Sequence, residues 1–533
     1  MIILGIHDGH DAGAVLLKGN TIYAVNEERL NRIKKYRGFP ELSIKKVIEM
    51  AHVHSNEIDA IAVAGLFRKH SRLLELERGL KSIFGDGFKK KILFVEHHLA
   101  HAASAYYTSG WKEALALSID AAGDGLSSSI YIARNGEMIR IAQSTYLDSL
   151  GDFYASVTEL LGFKPMRHEG KIMSLAAYGK PTYDLANIIE LNELSFENKL
   201  KVVGIEATKK LAELFDYPFS RAREIAQQMK KGNLEGEIQR KAIEIAASAQ
   251  AHLEKIIDEL GLKLTTYNLK LAYAGGVAQN VKANAVLREH FPDLWVFPAM
   301  DDSGLAFGAA AFIKAQFERL DGKWKPFKLE HVYLGPSYNE NEIEAFLKKN
   351  DINFEYQEDI SEFVAEMLVE GKIIGLFQGK MEYGPRALGN RSILADPRNK
   401  EIVKKLNVAL NRDVFQPFAP SILEEKIKEY LRNPYPNKFM TMSYEATEKM
   451  KLEAPAVVHV DGTTRPQTLM KKDNPTYYEI IKHFEQETGT GIVLNTSFNM
   501  HGEPIVCSPN DALRTFFKAK LDILILENFV VYR

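Results

Sequence analysis

His97 and His101 stand four residues apart in the segment HHLAHAASAYY. If that segment is helical, 3.6 residues per turn puts both imidazoles on one face, where together they can chelate a single metal ion. Two solvent-exposed helix histidines would give the same spacing. Asp120 closes an apolar run, and Asp302 stands in MDDSG just ahead of the small-residue stretch LAFGAAAF. These carboxylates either complete a two-histidine, two-carboxylate sphere or act as ordinary turn formers, and Asp301 competes with Asp302 for the last place. Mixed imidazole and carboxylate donors suit iron, manganese or zinc without choosing among them.

A second group of motifs carries groups that suit phosphate. AYAGGVAQN sets Gly275 and Gly276 directly after an apolar run and ends on Asn280. Glycines there let backbone amides approach a phosphate closely, or simply make a tight turn. RHEGKIMSLAAYG contains Lys171, a phosphate contact or a solvated lysine near a helix start. MEYGPRALGNRSILADPR holds Arg386, Arg391 and Arg398 among turn-forming residues, and guanidinium forks match phosphate oxygens. GIVLNTSFNMHGEP, if extended, puts Asn495, Ser497 and Asn499 on one face. Polar residues alternating inside an apolar strand call for a ligand or for a buried hydrogen-bond network.

The elements that must position these residues follow from the apolar pattern. IILGIHDGHDAGAVLLKGNTIYAVNEER reads as strand, acidic glycine corner, strand, turn and strand. LALSIDAAGDGLSSSIYIARNGEMIRIA repeats the scheme from Leu115, with a turn at Asn135-Gly136. This is an internal duplication or a pair of unrelated hairpins; read as a duplication, each copy resembles the opening unit of the sugar kinase, actin and chaperone ATPase superfamily. Between the copies, Ser43 to Val53 has helical spacing, and KILFV at 91–95 reads as a strand leading into the histidine helix. Arg221 to Leu262 predicts long helices broken around Gly232-Asn233, and LKLAYAGG predicts another strand. Strands alternating with helices predict an α/β architecture. Gly, Pro and Lys accumulate from Gly322 to Gly335, which predicts domains at 1–330 and 331–533. The apolar tail Leu521 to Tyr532 is rich in β-branched residues and predicts a buried strand.

Composition narrows the function classes. At 533 residues the chain is too long for one core. Its 46% hydrophobic and 26% charged residues are those of a globular protein. A formal net charge of -2 provides no global footprint for nucleic acid or an anionic membrane. Cys507 is the only cysteine, which excludes an intrachain disulfide and a cysteine zinc cluster and fits a reducing cytoplasm. The opening apolar run ends at His7-Asp8 without a basic leader, unlike a signal peptide, and no apolar stretch reaches the roughly eighteen residues of a membrane-spanning helix.

Taken in order, GHDAGA, EERLNRIK, EHHLAHAASA, DAAGDG, EGKIMSLAAYG, GGVAQN, DDSG, EYGPRALGNRSILADPR, QPFAPSIL and LNTSFNMHGEP closely resemble the NodU/CmcH family of O-carbamoyltransferases. The resemblance runs through nearly the whole chain. It implies a TsaD-like first domain, duplicated and ribonuclease-H-like, followed by a YrdC-like α/β domain. It implies that His97, His101, Asp120 and Asp302 hold a divalent transition metal, expected to be iron(II). It also implies that ATP and carbamoyl phosphate, with magnesium, give carbamoyladenylate and pyrophosphate, and that a small hydroxyl acceptor then takes the carbamoyl group. In that scheme Arg386, Arg391 and the Asn495/Ser497 face clamp phosphates, with Lys171, Gly275, Gly276, Asn280 and Arg398 as further nucleotide or carbamoyl contacts. His10 accepts the acceptor's proton, or is a turn residue within the Asp8 to Asp11 corner. Gly13 stands where the family often has serine and Tyr383 where it often has tryptophan; neither is a proposed ligand.

Three other functions share parts of this pattern. An ATP-dependent small-molecule kinase would use the duplicated core and leave the C-terminal region unexplained. An actin-like or chaperone-like nucleotide switch would need neither the histidine pair nor the arginine motif. A tRNA threonylcarbamoylation enzyme also combines TsaD-like and YrdC-like parts, but the modest net charge favours a small acceptor. Sugar, antibiotic-like and nodulation-factor hydroxyls all fit the family's acceptor class, and the resemblance says nothing of oligomeric state.

Overall fold

Three antiparallel strands open the chain: β1 (Ile2–His7), β2 (Gly13–Lys18) and β3 (Thr21–Asn26). β4 (Ala60–Ala64) pairs parallel to β1, and β5 (Lys91–Val95) pairs parallel to β4, giving the order β3-β2-β1-β4-β5. The computed structural model describes residues 1–67, 70–85 and 91–533. The scheme then recurs. β6 (Glu113–Gly123), β7 (Leu126–Arg134) and β8 (Glu137–Thr145) form an antiparallel meander. A ribbon of β9 (Ile189–Asn192) and β10 (Ser195–Asn198) stands apart. β11 (Leu271–Ala274) and β12 (Leu294–Val296) complete the second sheet in parallel, in the order β12-β11-β6-β7-β8. Both sheets thus run from an antiparallel meander, through its first strand, to two parallel strands, so the duplication legible at the two acidic corners extends to the whole topology. At the β7–β8 turn Asn135 and Gly136 have φ of 48° and 80°, the left-handed pair that a two-residue hairpin turn requires.

Two helices join the halves of this unit. His97–Tyr106 packs on β6, β7 and β11, and Leu305–Leu320 packs on β1, β2 and β4, and the helices pack on each other. Each is therefore covered on most of its circumference, which explains the alanine-rich sequences of both. At their crossing a Cβ on Gly308 would stand 1.8 Å from the Ala100 carbonyl oxygen, so only glycine permits this approach. The long stretch from Arg221 is two helices, Ala222–Lys230 and Glu237–Thr265, interrupted around Gly232 as its composition predicts.

The chain divides into one compact unit of residues 1–27 and 35–329 and another of residues 28–34 and 330–533. A linear boundary near 330 therefore misses seven residues from near the N-terminus that group with the C-terminal unit. That unit is built on one eight-stranded mixed sheet. β13 (Glu355–Tyr356), β14 (Ile374–Phe377), β15 (Arg391–Ala395) and β16 (Ala419–Leu423) belong to it. A separate ribbon holds β17 (Tyr444–Glu445) and β18 (Thr463–Thr464). The sheet is completed by β19 (Gln467–Leu469), β20 (Ile492–Ser497), β21 (Ile523–Leu526) and β22 (Phe529–Tyr532), in the order β13-β22-β21-β14-β15-β20-β16-β19. Val364, Leu368, Ile480 and Phe484, from helices Ile360–Val369 and Pro475–Thr488, fill the core against it.

Two sequence expectations change here. The apolar tail forms a β21–β22 hairpin rather than one strand, because Glu527 adopts φ 51° and its carboxylate accepts the Gly379 amide proton at 2.7 Å. Asn499 does not share the Asn495/Ser497 face: β20 ends at Ser497, and the Asn499 amide donates to the Met500 and Glu503 carbonyls of its own loop. Among the described residues no helix is long and apolar enough to cross a membrane.

Candidate functional site

The helix His97–Tyr106 begins where carboxylates fix it. Glu96 caps it by accepting the His98 and Leu99 amide protons, and Asp124 accepts that of His97 at 2.8 Å. Its first turns carry His97 and His101, both buried. The register of β6 shifts between Ile119 and Gly123, and that irregularity contains Asp120. A Cβ on Gly276 would lie 2.6 Å from an Asp120 carboxylate oxygen, so the double glycine makes room for that side chain. Asp302 opens the turn Asp302–Gly304, whose cap is Asp301.

Four buried donors converge as a result. His97 Nε2 and His101 Nε2 stand 3.3 and 3.1 Å from Asp120 Oδ2, and 3.6 and 3.3 Å from Asp302 Oδ1. Donor atoms sharing an ion at bonds of roughly 2.0–2.2 Å lie about 3 to 4.4 Å apart, so these separations suit a common metal. One ligand atom from each of the four residues lies within 4.8 Å of all the others, and this group could hold a metal ion. The two aspartates face different partners: Asp301 accepts the Ser303 amide proton at 3.2 Å and a Gln279 side-chain hydrogen bond, while Asp302 faces the histidines.

The electrostatics call for positive charge between these carboxylates. Burial disfavours a proton on His101, but Asp120 and Asp302 outweigh it and raise the imidazole to about 9. Asp120 lies well below the ordinary carboxylate range because His101 and His97 outweigh its burial. His10 stands 3.2 Å from Asp302 and 3.1 Å from Asp11, and Asp302 above all raises it to about 9. Lys35 reaches Asp11 at 3.1 Å. His7 is lowered by burial to about 4, so its neutral ring donates from Nε2 to the His10 carbonyl at 3.1 Å. Sequence reasoning missed His7, Asp11 and Lys35 as neighbours of the cluster, although GIHDGHDAG carries an unusual density of titratable residues.

In the C-terminal unit another kind of site forms. Burial, then the positive charges of Arg386 and Arg412, hold the Arg465 guanidinium well below its usual range. No carboxylate among the described residues opposes those influences, and Arg465 Nε is buried without a hydrogen-bond partner. Burial also lowers Arg412, to about 10; it donates to Thr496 Oγ1 at 2.8 Å and stacks over Phe418 at 4.3 Å. Arg386 and Arg412 both bear on Arg465, Asp413 offsets charge at Arg412, and guanidinium forks grouped in this way match the geometry of an oxyanion. Arg412 and Arg465 were missed because LNRDV and TTRPQ show no local pattern.

Several proposed contacts have other employment. Arg391 is fully buried, donates to the carbonyls of Gln378, Asn390, Pro336 and Gly379 and lies 3.6 Å over the Phe377 ring, so it cannot clamp a phosphate. Arg398 is paired with Asp396 at 2.8 Å. Asn495 donates to the Ala387 carbonyl, Ser421 and Gln467 in a buried network, whereas Ser497, the last residue of β20, lies opposite Ser392 in the strand register. Asn280 caps the helix Val281–His290 and bonds Gln250, and the Gly275 amide donates to the Met300 carbonyl at 2.7 Å. Lys171 is buried in the helix Glu169–Ala176, with its ammonium 5.8 Å over the Phe163 ring.

Comparison with known proteins agrees with this two-part organisation. Residues 69–311 match the family model described as carbamoyltransferase N-terminus, and residues 365–533 match carbamoyltransferase C-terminus. An uncharacterized protein of Methanocaldococcus jannaschii, MJ1051, is 42% identical over 99% of this chain and 99% of its own. Nodulation protein NolNO of Sinorhizobium fredii is 35% identical over 98% of this chain and 79% of its own. Among solved structures, HypF of T. kodakarensis aligns with a TM-score of 0.36 at 13% identity, over 61% of this chain and 48% of that one, too remote to assign more. With both halves matched in order and full-length relatives above 30% identity, the chain belongs to the carbamoyltransferase family of the NodU and NolO nodulation proteins and is a carbamoyltransferase.

Proposed function

We propose that this carbamoyltransferase activates carbamoyl phosphate with ATP in the C-terminal unit and transfers the carbamoyl group to a small-molecule hydroxyl in the first. The observation that carries the reading is that the charges of Arg386 and Arg412 both bear on the buried Arg465 guanidinium, with no carboxylate among the described residues offsetting them at Arg465 itself. Such a cluster is electrostatically costly until anionic phosphates enter it. An adenylate of carbamic acid retains one phosphorus, the α-phosphorus of ATP, so the phosphate of carbamoyl phosphate must leave. Water therefore releases carbamate and inorganic phosphate; a carbamate oxygen attacks the α-phosphorus, and pyrophosphate departs. The arginines neutralise charge on the groups brought together.

In the second step the acceptor oxygen bonds to the carbamoyl carbon, its proton passes to a base, and AMP leaves. The residues of the first unit fit a divalent transition metal, held by His97, His101, Asp120 and Asp302, and iron(II) suits the donor set. Such an ion would supply Lewis-acid polarisation and charge neutralisation. A cation on Asp302 would oppose the proton that this carboxylate holds on His10, leaving His10 Nε2 or Nδ1 able to accept the acceptor's proton.

The test uses the full-length protein with ATP, magnesium and carbamoyl phosphate. Carbamoyl-phosphate-dependent pyrophosphate release and a carbamoyladenylate mass are expected, and Arg386→Ala should slow release about ten- to hundredfold. ADP without pyrophosphate would return the chain to the kinase reading. Adding a metabolite extract should then reveal the acceptor by its carbamoyl mass increment.

A further inference from the structure

EERLNRIK has no role in the chemistry above, yet residues 28–34 group with the C-terminal unit. Their side chains reach the backbone of that unit at several points. Arg32 donates to the carbonyls of Ile505 at 2.6 Å and Pro504 at 2.8 Å and pairs with Asp511 at 3.3 Å. Lys34 reaches the Glu503 carbonyl at 3.3 Å. Arg29, itself buried, donates from Nη2 to the Gly384 carbonyl at 2.9 Å. Gly384 stands two residues before Arg386.

The loop around Arg386 is fixed mainly from its far side. Glu382 accepts the amide protons of Leu388, Asn390 and Arg391 at 2.8, 2.8 and 3.1 Å. Gln467 and Tyr333 both donate to the Leu388 carbonyl, and Asn495 donates to that of Ala387. On the near side, the Tyr383 amide donates to the Val332 carbonyl and Arg29 holds the next carbonyl, that of Gly384. A peptide plane gripped at its oxygen cannot rotate freely, and its orientation sets the direction of the chain entering Pro385-Arg386.

We propose that Arg29 is a positioning residue for Arg386: by holding the Gly384 carbonyl it aims the Arg386 guanidinium into the three-arginine anion site. Arg32 and Lys34 anchor the segment, so that Arg29 is held in place rather than left to find its acceptor. The charge of Arg29 serves geometry, while that of Arg386 serves the ligand. The proposal rests on the activation reading, and the experiment separates the failure of one from the failure of the other.

Pyrophosphate release from ATP and carbamoyl phosphate is measured in full-length Arg29→Met, Arg29→Lys, Arg386→Ala and the Arg29→Met/Arg386→Ala double variant, with thermal unfolding of each. Arg29→Met is expected to slow release about tenfold, Arg29→Lys less, and the double variant no more than Arg386→Ala alone, since both act through one guanidinium. A merely structural Arg29 would instead give losses that multiply. Multiplying losses, or wild-type rates in both Arg29 variants while Arg386→Ala is impaired, overturns the positioning role. If Arg29→Met does not fold, Arg29→Lys carries the same cycle with Arg386→Ala. A wild-type rate in folded Arg386→Ala overturns the activation reading itself and the role of Arg29 with it.

Discussion

At the scale of single residues, the arginines of the C-terminal unit divide by what surrounds them. Arg391 is surrounded by carbonyls, so Arg391→Ala strands several buried acceptors and should cost about 3 kcal/mol or more in denaturant unfolding. Arg465 is lowered by burial and then by the charges of Arg386 and Arg412, which makes its own charge a burden on the fold at neutral pH. Arg465→Met should therefore raise stability by about 1 kcal/mol while slowing pyrophosphate release, the signature of a binding site held at the expense of the fold. Sequence alone could not separate the two, because GPRALGNRS gives Arg386 and Arg391 the same local setting and the decision is made by tertiary burial. Cys507 offers a pH test. Burial pushes its thiol up to about 11, so native protein at pH 8 should react with a thiol reagent far more slowly than unfolded protein. The sign follows from linkage: a pKa raised in the folded state contributes stability below the unfolded thiol's pKa and loses it as pH rises toward 11. Denaturant midpoints between pH 8 and 11, compared with Cys507→Ser, check it.

At the scale of elements, the metal candidates depend on how closely two helices approach. Gly308→Ala puts a methyl carbon against the Ala100 carbonyl, one residue before His101. It should destabilise the first unit by about 1–3 kcal/mol and lower bound metal, read by calorimetry and elemental analysis of the same preparation. A normal metal content in a folded Gly308→Ala protein would show that the helices can separate without disturbing the ligands. Much of this layer was legible: the i, i+4 histidine spacing, the strand alternation and the two acidic corners all express periods of 3.6 and 2. What was not legible was decided by long-range packing or local backbone. Asn280 reads as part of a phosphate loop and caps a helix instead, and the C-terminal tail bends at Glu527, a residue with no turn preference.

At the scale of the whole molecule, the proposed division of labour predicts separable losses. Protein stripped of metal by a chelator, or carrying His97→Ala and His101→Ala, should still release pyrophosphate from ATP and carbamoyl phosphate while carbamoylated acceptor falls by at least about tenfold. Parallel loss of both activities would refute that division, and full metal occupancy in the double variant would refute the ligand assignment. The assignment of residues 28–34 to the C-terminal unit lay beyond sequence reading, because nothing in EERLNRIK shows which distant carbonyls its arginines will meet. That assignment also bears on how the protein is made. Lys34 leaves the ribosome some 470 residues before Pro504, which at ~5–20 residues per second is an interval of about 25 to 95 seconds. Throughout it Arg32 and Lys34 remain without the carbonyls they will later hold, and Arg29 waits for that of Gly384, 355 residues downstream. The C-terminal unit is therefore completed by one of the earliest parts of the nascent chain, and translation speed, not only the finished sequence, sets how long that part must wait.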